Sequence, residues 1–310
     1  MERLDLPVTD TAVAGRPTDH QVGRPLGSDG SNQRPLWVRF APVLLTLPAL
    51  ALLVAIVGEP LYEVFQRSFT QPKAGLSNYD WFFSSSLNVA LLRRTFVTAF
   101  VVTVVCVALA VPYVFLMTIV SKRARNLMLF LILVPFWTST IVRNFAWVLL
   151  LQHSGLLHQF MAKFGFDVTL IGTTKGVVIA MSQVLFPFMV LPLYATMSKI
   201  DVRLIQAAKS LGARPSVAFA KVYLPLIRPG VIAGSVLVFV LALGFYITPA
   251  MVGSSKNSLI AGEIWNQING LLAWGPGSTM AVVLLVLTLV LLAISGLVIR
   301  RSSPLQGGSR

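Results

Sequence analysis

The residues whose spacing points to chemistry lie in one polar, basic island, Asp201–Gly230, between two apolar runs. There Gln206-Ala207-Ala208, three residues, Gly212, nine residues, Val222, one residue and Leu224-Pro225 make a set at fixed intervals. None of these side chains is a nucleophile, a general acid or a metal ligand. Their chemistry is non-covalent docking. Leu204, Ala208 and Leu211 recur at i, i+4 and i+7 with Ile205 beside them, which predicts a short amphipathic helix. Gly212 ends it as a residue that takes positive φ at the C′ position. Arg214-Pro215 opens a second helix, with proline where its missing N–H costs nothing. Ala218 and Val222 continue one face of that helix, Pro225 is expected to close the segment, and Pro229-Gly230 leads into the next apolar run. A connection that only crossed a membrane surface would not need two helices bent at a glycine.

A second set is polar and set in apolar sequence: Asn144, Gln183, Tyr246 and Thr248. A buried amide without a partner costs a few kcal/mol, so each must face protein or water. They are candidates to line a translocation path, and helix–helix hydrogen bonding is the alternative. Gln183 stands one turn before Pro187, where a freed carbonyl is also on offer. No catalytic constellation, cofactor site or metal site is expected. His20, His153 and His158 lie in the tail and in one connection, and the i, i+5 interval of the last two is poor for a metal. Gly172-Thr173-Thr174-Lys175-Gly176 lacks the spacing of a phosphate loop. The single Cys106 permits no internal disulfide and reads as packing.

The elements that must carry these residues follow from composition. The chain is 55% hydrophobic and 12% charged, with a mean hydropathy of +0.78. A soluble domain carries about twice that share of charge. The apolar residues gather into runs near the length that spans about 30 Å of hydrocarbon. Six are expected: Phe40–Phe65, Phe96–Val120, Leu127–Leu151, Gly176–Met197, Val231–Val252 and Thr279–Ile299. The third is interrupted by Pro135 and Thr138-Ser139-Thr140. It is expected to span only to about Trp147, with Leu149–Phe160 along the outer surface. The predicted class is thus all-α, a polytopic membrane protein with six transmembrane helices.

The net charge of +14 does not predict nucleic-acid binding. Seventeen of the 25 Lys and Arg residues fall in the N-terminal tail, Lys122–Arg125, Lys199–Arg228 and the C-terminal tail, which share one side of a six-span chain. The positive-inside rule makes that side cytoplasmic, with both termini. Residues 1–35 hold almost no apolar cluster and read as a disordered cytoplasmic tail. A six-helix transmembrane domain is expected over 36–302, with its cytoplasmic loop at 199–229 and a short tail at 303–310. Acids within the spans are nearly missing: Glu59 and Glu63 lie at the outer end of the first and Glu263 in the last outer connection, which argues against a proton- or sodium-coupled carrier or a channel. A membrane-embedded enzyme would need paired carboxylates, a metal cluster or a nucleophile–base set, and none is visible.

The interval from Gln206 to Pro225 resembles the EAA loop of ATP-binding-cassette importer permeases, with Gln206 in place of the usual Glu and Val222 in place of Ile. Leu133–Trp147, Gly155–Leu157, Leu243–Gly253 and the connection Asn257–Gly277 are similar to permeases of the spermidine/putrescine subgroup. Phe245-Tyr246 stands where that subgroup often has Gly/Ala-Asp-Phe. The resemblance implies the type I importer permease fold in a bacterial inner membrane. It also implies a cytosolic ATPase subunit docked on the loop, a second permease subunit forming a heterodimer, and an extracytoplasmic solute-binding protein. The small-molecule substrate it implies is polyamine-like or amino-acid-derived, and the spans imply contact with membrane lipid.

Overall fold

A computed structural model describes residues 36–165, 169–201 and 203–301. The tails expected at 1–35 and 303–310 lie outside the described residues. Among the described residues all regular structure is helical: α1 (Leu36–Thr70), α2 (Ser77–Ser84), α3 (Ser86–Ile119), α4 (Lys122–Leu133), α5 (Thr140–Leu151), α6 (Leu156–Lys163), α7 (Thr174–Met197), α8 (Arg203–Ser210), α9 (Pro215–Ala218), α10 (Leu224–Leu243), α11 (Ile247–Val252), α12 (Ile260–Trp265) and α13 (Trp274–Arg301). The chain divides into two compact units, residues 1–55 and 56–310. In the first, the helical residues Leu47, Leu50, Leu52 and Leu53 expose their side chains. The second carries the core and the candidate site residues described below.

Among the described residues five helices are long and apolar enough to cross a membrane: Thr46–Thr70, Ser86–Ile119, Thr174–Met197, Pro215–Leu243 and Trp274–Leu297. A sixth crossing is made if the pair Lys122–Trp137 and Thr140–Lys163, bent by 103°, counts as one span. The expected third span is therefore corrected. The bend falls at Thr138-Ser139, before α5, and not near Trp147. Pro135 cannot donate a helical hydrogen bond, the chain tightens into a 3₁₀ turn over Val134–Trp137, and Thr138 is extended (φ −89°, ψ 134°). The second span also begins earlier than Phe96, because Ser85 caps α3 by accepting the Asn88 N–H at 3.4 Å.

The fifth span is the larger correction. Pro225 does not close the loop. Helix runs from Pro215 to Leu243 through a π turn at Phe219–Tyr223, where the Leu224 N–H reaches back to the Phe219 carbonyl. The wider turn falls just ahead of Pro225, whose ring would otherwise press on the preceding turn.

The core is built from α3, α7 and α10. Met181, Leu185, Met189, Leu193 and Met197 repeat every fourth residue on α7 and are buried against Val102, Cys106, Ala110 and Val114 of α3 and Val238 and Ala242 of α10. α7 meets α10 at glycines: a Cβ on Gly230 would lie 2.6 Å from Thr196 Oγ1, and one on Gly234 2.7 Å from Met189 Sδ. This Gly-xxx-Gly pair lets the two backbones approach where no hydrophobic force favours one apolar surface over another. Outward-facing Phe100, Leu109, Leu116, Leu285 and Leu289 stay exposed, as suits a solvent of acyl chains.

Candidate functional site

From Asp201 to the start of α9 the polar segment has the local structure its sequence predicts. Asp201 Oδ1 accepts the Arg203 N–H at 2.9 Å and its carbonyl accepts the Leu204 N–H at 3.1 Å, which starts α8. At the other end Gly212 takes φ +86°. Its N–H bonds the Lys209 carbonyl at 2.9 Å, and the Ala213 N–H bonds the Ala208 carbonyl at 3.1 Å. These two bonds are a Schellman cap, which a left-handed residue at C′ makes possible. Ala208 and Ala213 pack on the main core and so fix the cap to the spans. Gln206 and Ala207 are exposed, Ala208 and Val222 are half-buried, and Leu224 and Pro225 are exposed. The apolar Leu211 at the bend is 89% exposed and Leu204 is 47% exposed. Burial of Ala218, Tyr223 and Ile227 anchors the following helix, so the bend is held from both sides while its tip is bare.

The four polar candidates are not brought into one place. Asn144 and Thr248 are both fully buried and bond each other: Thr248 Oγ1 donates to Asn144 Oδ1 at 2.7 Å, and Asn144 Nδ2 donates to the Thr140 carbonyl at 2.9 Å. The first bond joins α5 to α11 and the second lies within α5. Gln183 Oε1 accepts from Trp147 Nε1 at 3.2 Å, and both line a cleft of about 510 Å³ with Tyr113, Ser182, Phe186 and Pro187. Tyr246 lines a separate, smaller cavity of about 200 Å³ with Ser254, Ser255 and Ser258. Its ring meets Trp265 edge-on, with centroids 5.9 Å apart.

Trp147, Trp265 and the three serines are absent from the sequence-level candidates. Trp147 follows Asn144 by three positions, so the helical period alone places it beside that face. The run Ser254-Ser255-Lys256-Asn257-Ser258 reads as a polar interruption between apolar segments. The glycine-rich Gly172–Gly176 has a structural task. Gly172 takes φ +74°, donates to the Val252 carbonyl at 2.9 Å and accepts from Asn257 Nδ2 at 2.7 Å, and Thr173 Oγ1 caps α7 through the Gly176 N–H at 3.2 Å.

The Asn144–Thr248 bond gives a direct prediction. Thr248→Val keeps the shape but leaves Asn144 Oδ1 buried without its donor. It should lower stability by about 1 kcal/mol, as such bonds do within membranes. Thr248→Ser should restore most of the loss, and unfolding of the detergent-solubilised protein in graded denaturant measures both.

A core of three close-packed helices, a bent helix pair that can make one crossing and an exposed, capped helix bend define a helical membrane protein. Residues 30–304 match the family of binding-protein-dependent transport system inner membrane components. The chain belongs to that family, and it is the permease subunit of an ATP-binding-cassette importer. It is 31% identical over 241 residues to the spermidine/putrescine transport system permease protein PotB of Escherichia coli, which covers 76% of this chain and 87% of that one. The PotB protein of Haemophilus influenzae is 32% identical over 197 residues, covering 63% of this chain and 69% of its own. In architecture the chain resembles a permease chain of the bacterial alginate ABC transporter solved with its alginate pentasaccharide-bound periplasmic protein. The TM-score is 0.69 at 15% identity, covering 86% of this chain and 97% of the other, a likeness of fold.

Proposed function

We propose that this permease forms, with a second and non-identical permease subunit, the path for a small organic solute of polyamine-like or amino-acid-derived type, and that ATP hydrolysis is supplied by cytosolic ATPase subunits. An extracytoplasmic solute-binding protein delivers the solute. The observation that carries this reading is the bend at Gly212: a rigidly capped helix whose apolar tip, Leu211, is left exposed beside Gln206 and Ala207. An exposed leucine on a short, fixed helix at an aqueous face is an anchor awaiting a pocket. Gln206, Ala207, Ala208, Gly212, Val222, Leu224 and Pro225 form the ATPase-coupling loop in this reading. ATP-driven closure of the ATPase subunits moves two such loops together and switches the cavity between inner and outer faces. A ligand shifts that equilibrium only by its differential affinity for the two states, so the contact at the bend must differ between them. Of the four path candidates, Gln183 and Tyr246 line open cavities and are assigned to the path. Asn144 and Thr248 are assigned to holding the helices that frame it.

Co-purification tests the docking directly. A cysteine at Ala207 should cross-link to a cytosolic ATPase subunit, and one at Leu109, on the lipid-exposed surface, should not. Orientation is tested in the same background. After Cys106→Ala, cysteines at the exposed positions Ser77 and Ser255 should react with an impermeant thiol reagent from outside, and cysteines at Arg123 and Arg214 should not. The reverse pattern would overturn the assignment of both termini to the cytoplasm.

A further inference from the structure

The bend between α4 and α5 has a face that lipid cannot cover. The 3₁₀ turn that ends α4 packs Phe136 on Phe188 of α7, with ring centroids 5.3 Å apart. Phe188 lies about 21 Å along α7, a helix about 36 Å long, so the bend meets that span near its middle. Thr138, Ser139 and Thr140 are all exposed there. Among the described residues the N–H groups of Ser139, Thr140, Ile141 and Val142 make no backbone hydrogen bond, and the carbonyls of Phe136, Trp137 and Thr138 receive none. Irregular backbone at this depth is tolerated only against protein or in a water-filled cavity. Its free donors and acceptors are nearly matched, and the ends of α4 and α5 bring opposite dipole poles, so the backbone alone favours neither charge.

Arg143 supplies the charge. Its side chain is half-buried, its Nε is buried without a hydrogen-bond partner, and Nη2 reaches Thr140 Oγ1 at 3.4 Å. Among the described residues the one ion pair is Arg67 with Glu63, so no carboxylate answers Arg143. A guanidinium keeps its proton in a protein, and a charge at this depth pairs with another or faces water. The surroundings are apolar: Trp137 is 75% exposed, and Ile141, Val142 and Phe145 are exposed beside the polar groups. That is a poor wall for a wet cavity. Tryptophan and arginine among exposed apolar side chains are instead the anchors of protein interfaces. A transported solute is no lasting counter-ion, because it leaves in every cycle while the charge stays. The counter-ion therefore belongs to a permanent neighbour.

We propose that the α4–α5 bend, Trp137–Arg143, is the contact with the second permease subunit, and that this subunit supplies to Arg143 an Asp or Glu carboxylate from within its own spans. The contact rests on the reading of this chain as one of two non-identical permease subunits. It gives that partner a checkable property, an acid in an apolar run.

The test uses the whole complex, this permease with its second subunit and the ATPase subunits, in lipid nanodiscs. A photo-cross-linking benzophenone side chain at Val142 should capture the second permease subunit, and one at Leu289, exposed on α13, should not. Arg143→Glu should lower the amount of second subunit recovered with this one at least about tenfold, and Arg143→Lys should keep most of it. Replacing the answering acid of the second subunit by Lys should restore assembly of Arg143→Glu. If Arg143→Glu does not fold, the Val142 cross-link decides alone. Capture of lipid only at Val142 would overturn the contact. So would normal assembly of Arg143→Glu with uptake lost, which would place solute or water at the guanidinium. In both cases the Ala207 cross-link to the ATPase would still stand, and the importer reading with it. A complex holding only copies of this chain would overturn the non-identical subunit, and the proposed contact too.

Discussion

Solute-stimulated ATP hydrolysis and uptake should both fall at least about tenfold when Gly212 is replaced by valine, with normal amounts of protein in the membrane. The cause lies in the backbone. At φ +86° an L side chain costs roughly 1–2 kcal/mol, and a β-branched one more, because Cβ crowds the following carbonyl. A Cβ built on Gly212 meets nothing within 4 Å, so no clash with the rest of the permease contributes. What is lost is the cap: the bonds from Gly212 to Lys209 and from Ala213 to Ala208 both need this φ. α8 has eight residues and little stability of its own, so an uncapped end frays and Leu211 no longer stands at a fixed position. The spans are untouched, which is why insertion survives. Gly212→Asn, able to adopt the left-handed region, should retain most activity, and Gly212→Ala should fall between. Wild-type rates in Gly212→Val would remove the coupling role from this bend.

Gly230→Leu should act on the fold itself. A Cβ there would lie 2.6 Å from Thr196 Oγ1, 2.7 Å from Thr196 Cβ and 3.2 Å from the backbone Cα of Leu193. Contacts this short with a neighbouring helix are relieved only by moving α7 away from α10. Overpacking costs typically about 1–3 kcal/mol where side chains can give way, and here part of the obstacle is backbone. The rest of a leucine adds to it, so the expected result is little or no monodisperse protein after solubilisation. Gly296→Ala is the matched control: nothing lies within 4 Å of its Cβ, and alanine favours helix over glycine by about 1 kcal/mol. Size-exclusion profiles and unfolding temperatures of the two variants should therefore move in opposite directions. A well-behaved Gly230→Leu protein of unchanged melting temperature would show that the α7–α10 approach is looser than these distances describe.

Much of this protein is legible along the chain, because the determinants are local or compositional. A 55% hydrophobic sequence gathered into long runs has few options but membrane helices, and charge asymmetry predicts their orientation. The bend at Gly212 is equally local, since glycine at C′ after a short amphipathic period is a one-turn event. Its fixed spacing carries the resemblance to importer permeases without any tertiary contact.

Other features were decided only by packing. Asn144 and Thr248 are 104 residues apart, and Trp147 and Gln183 are 36 apart. No periodicity says that the first pair is buried and bonds to itself while the second opens on a cleft, because that depends on which helices α3, α7 and α10 bring face to face. The prolines show the same limit. Pro135 breaks its span and Pro225 does not, because a π turn ahead of Pro225 absorbs the strain and Ala218, Tyr223 and Ile227 are buried on either side of it. A proline's lost hydrogen bond is a property of the residue. Whether the helix survives it is settled by the tertiary contacts that hold the two flanks in line.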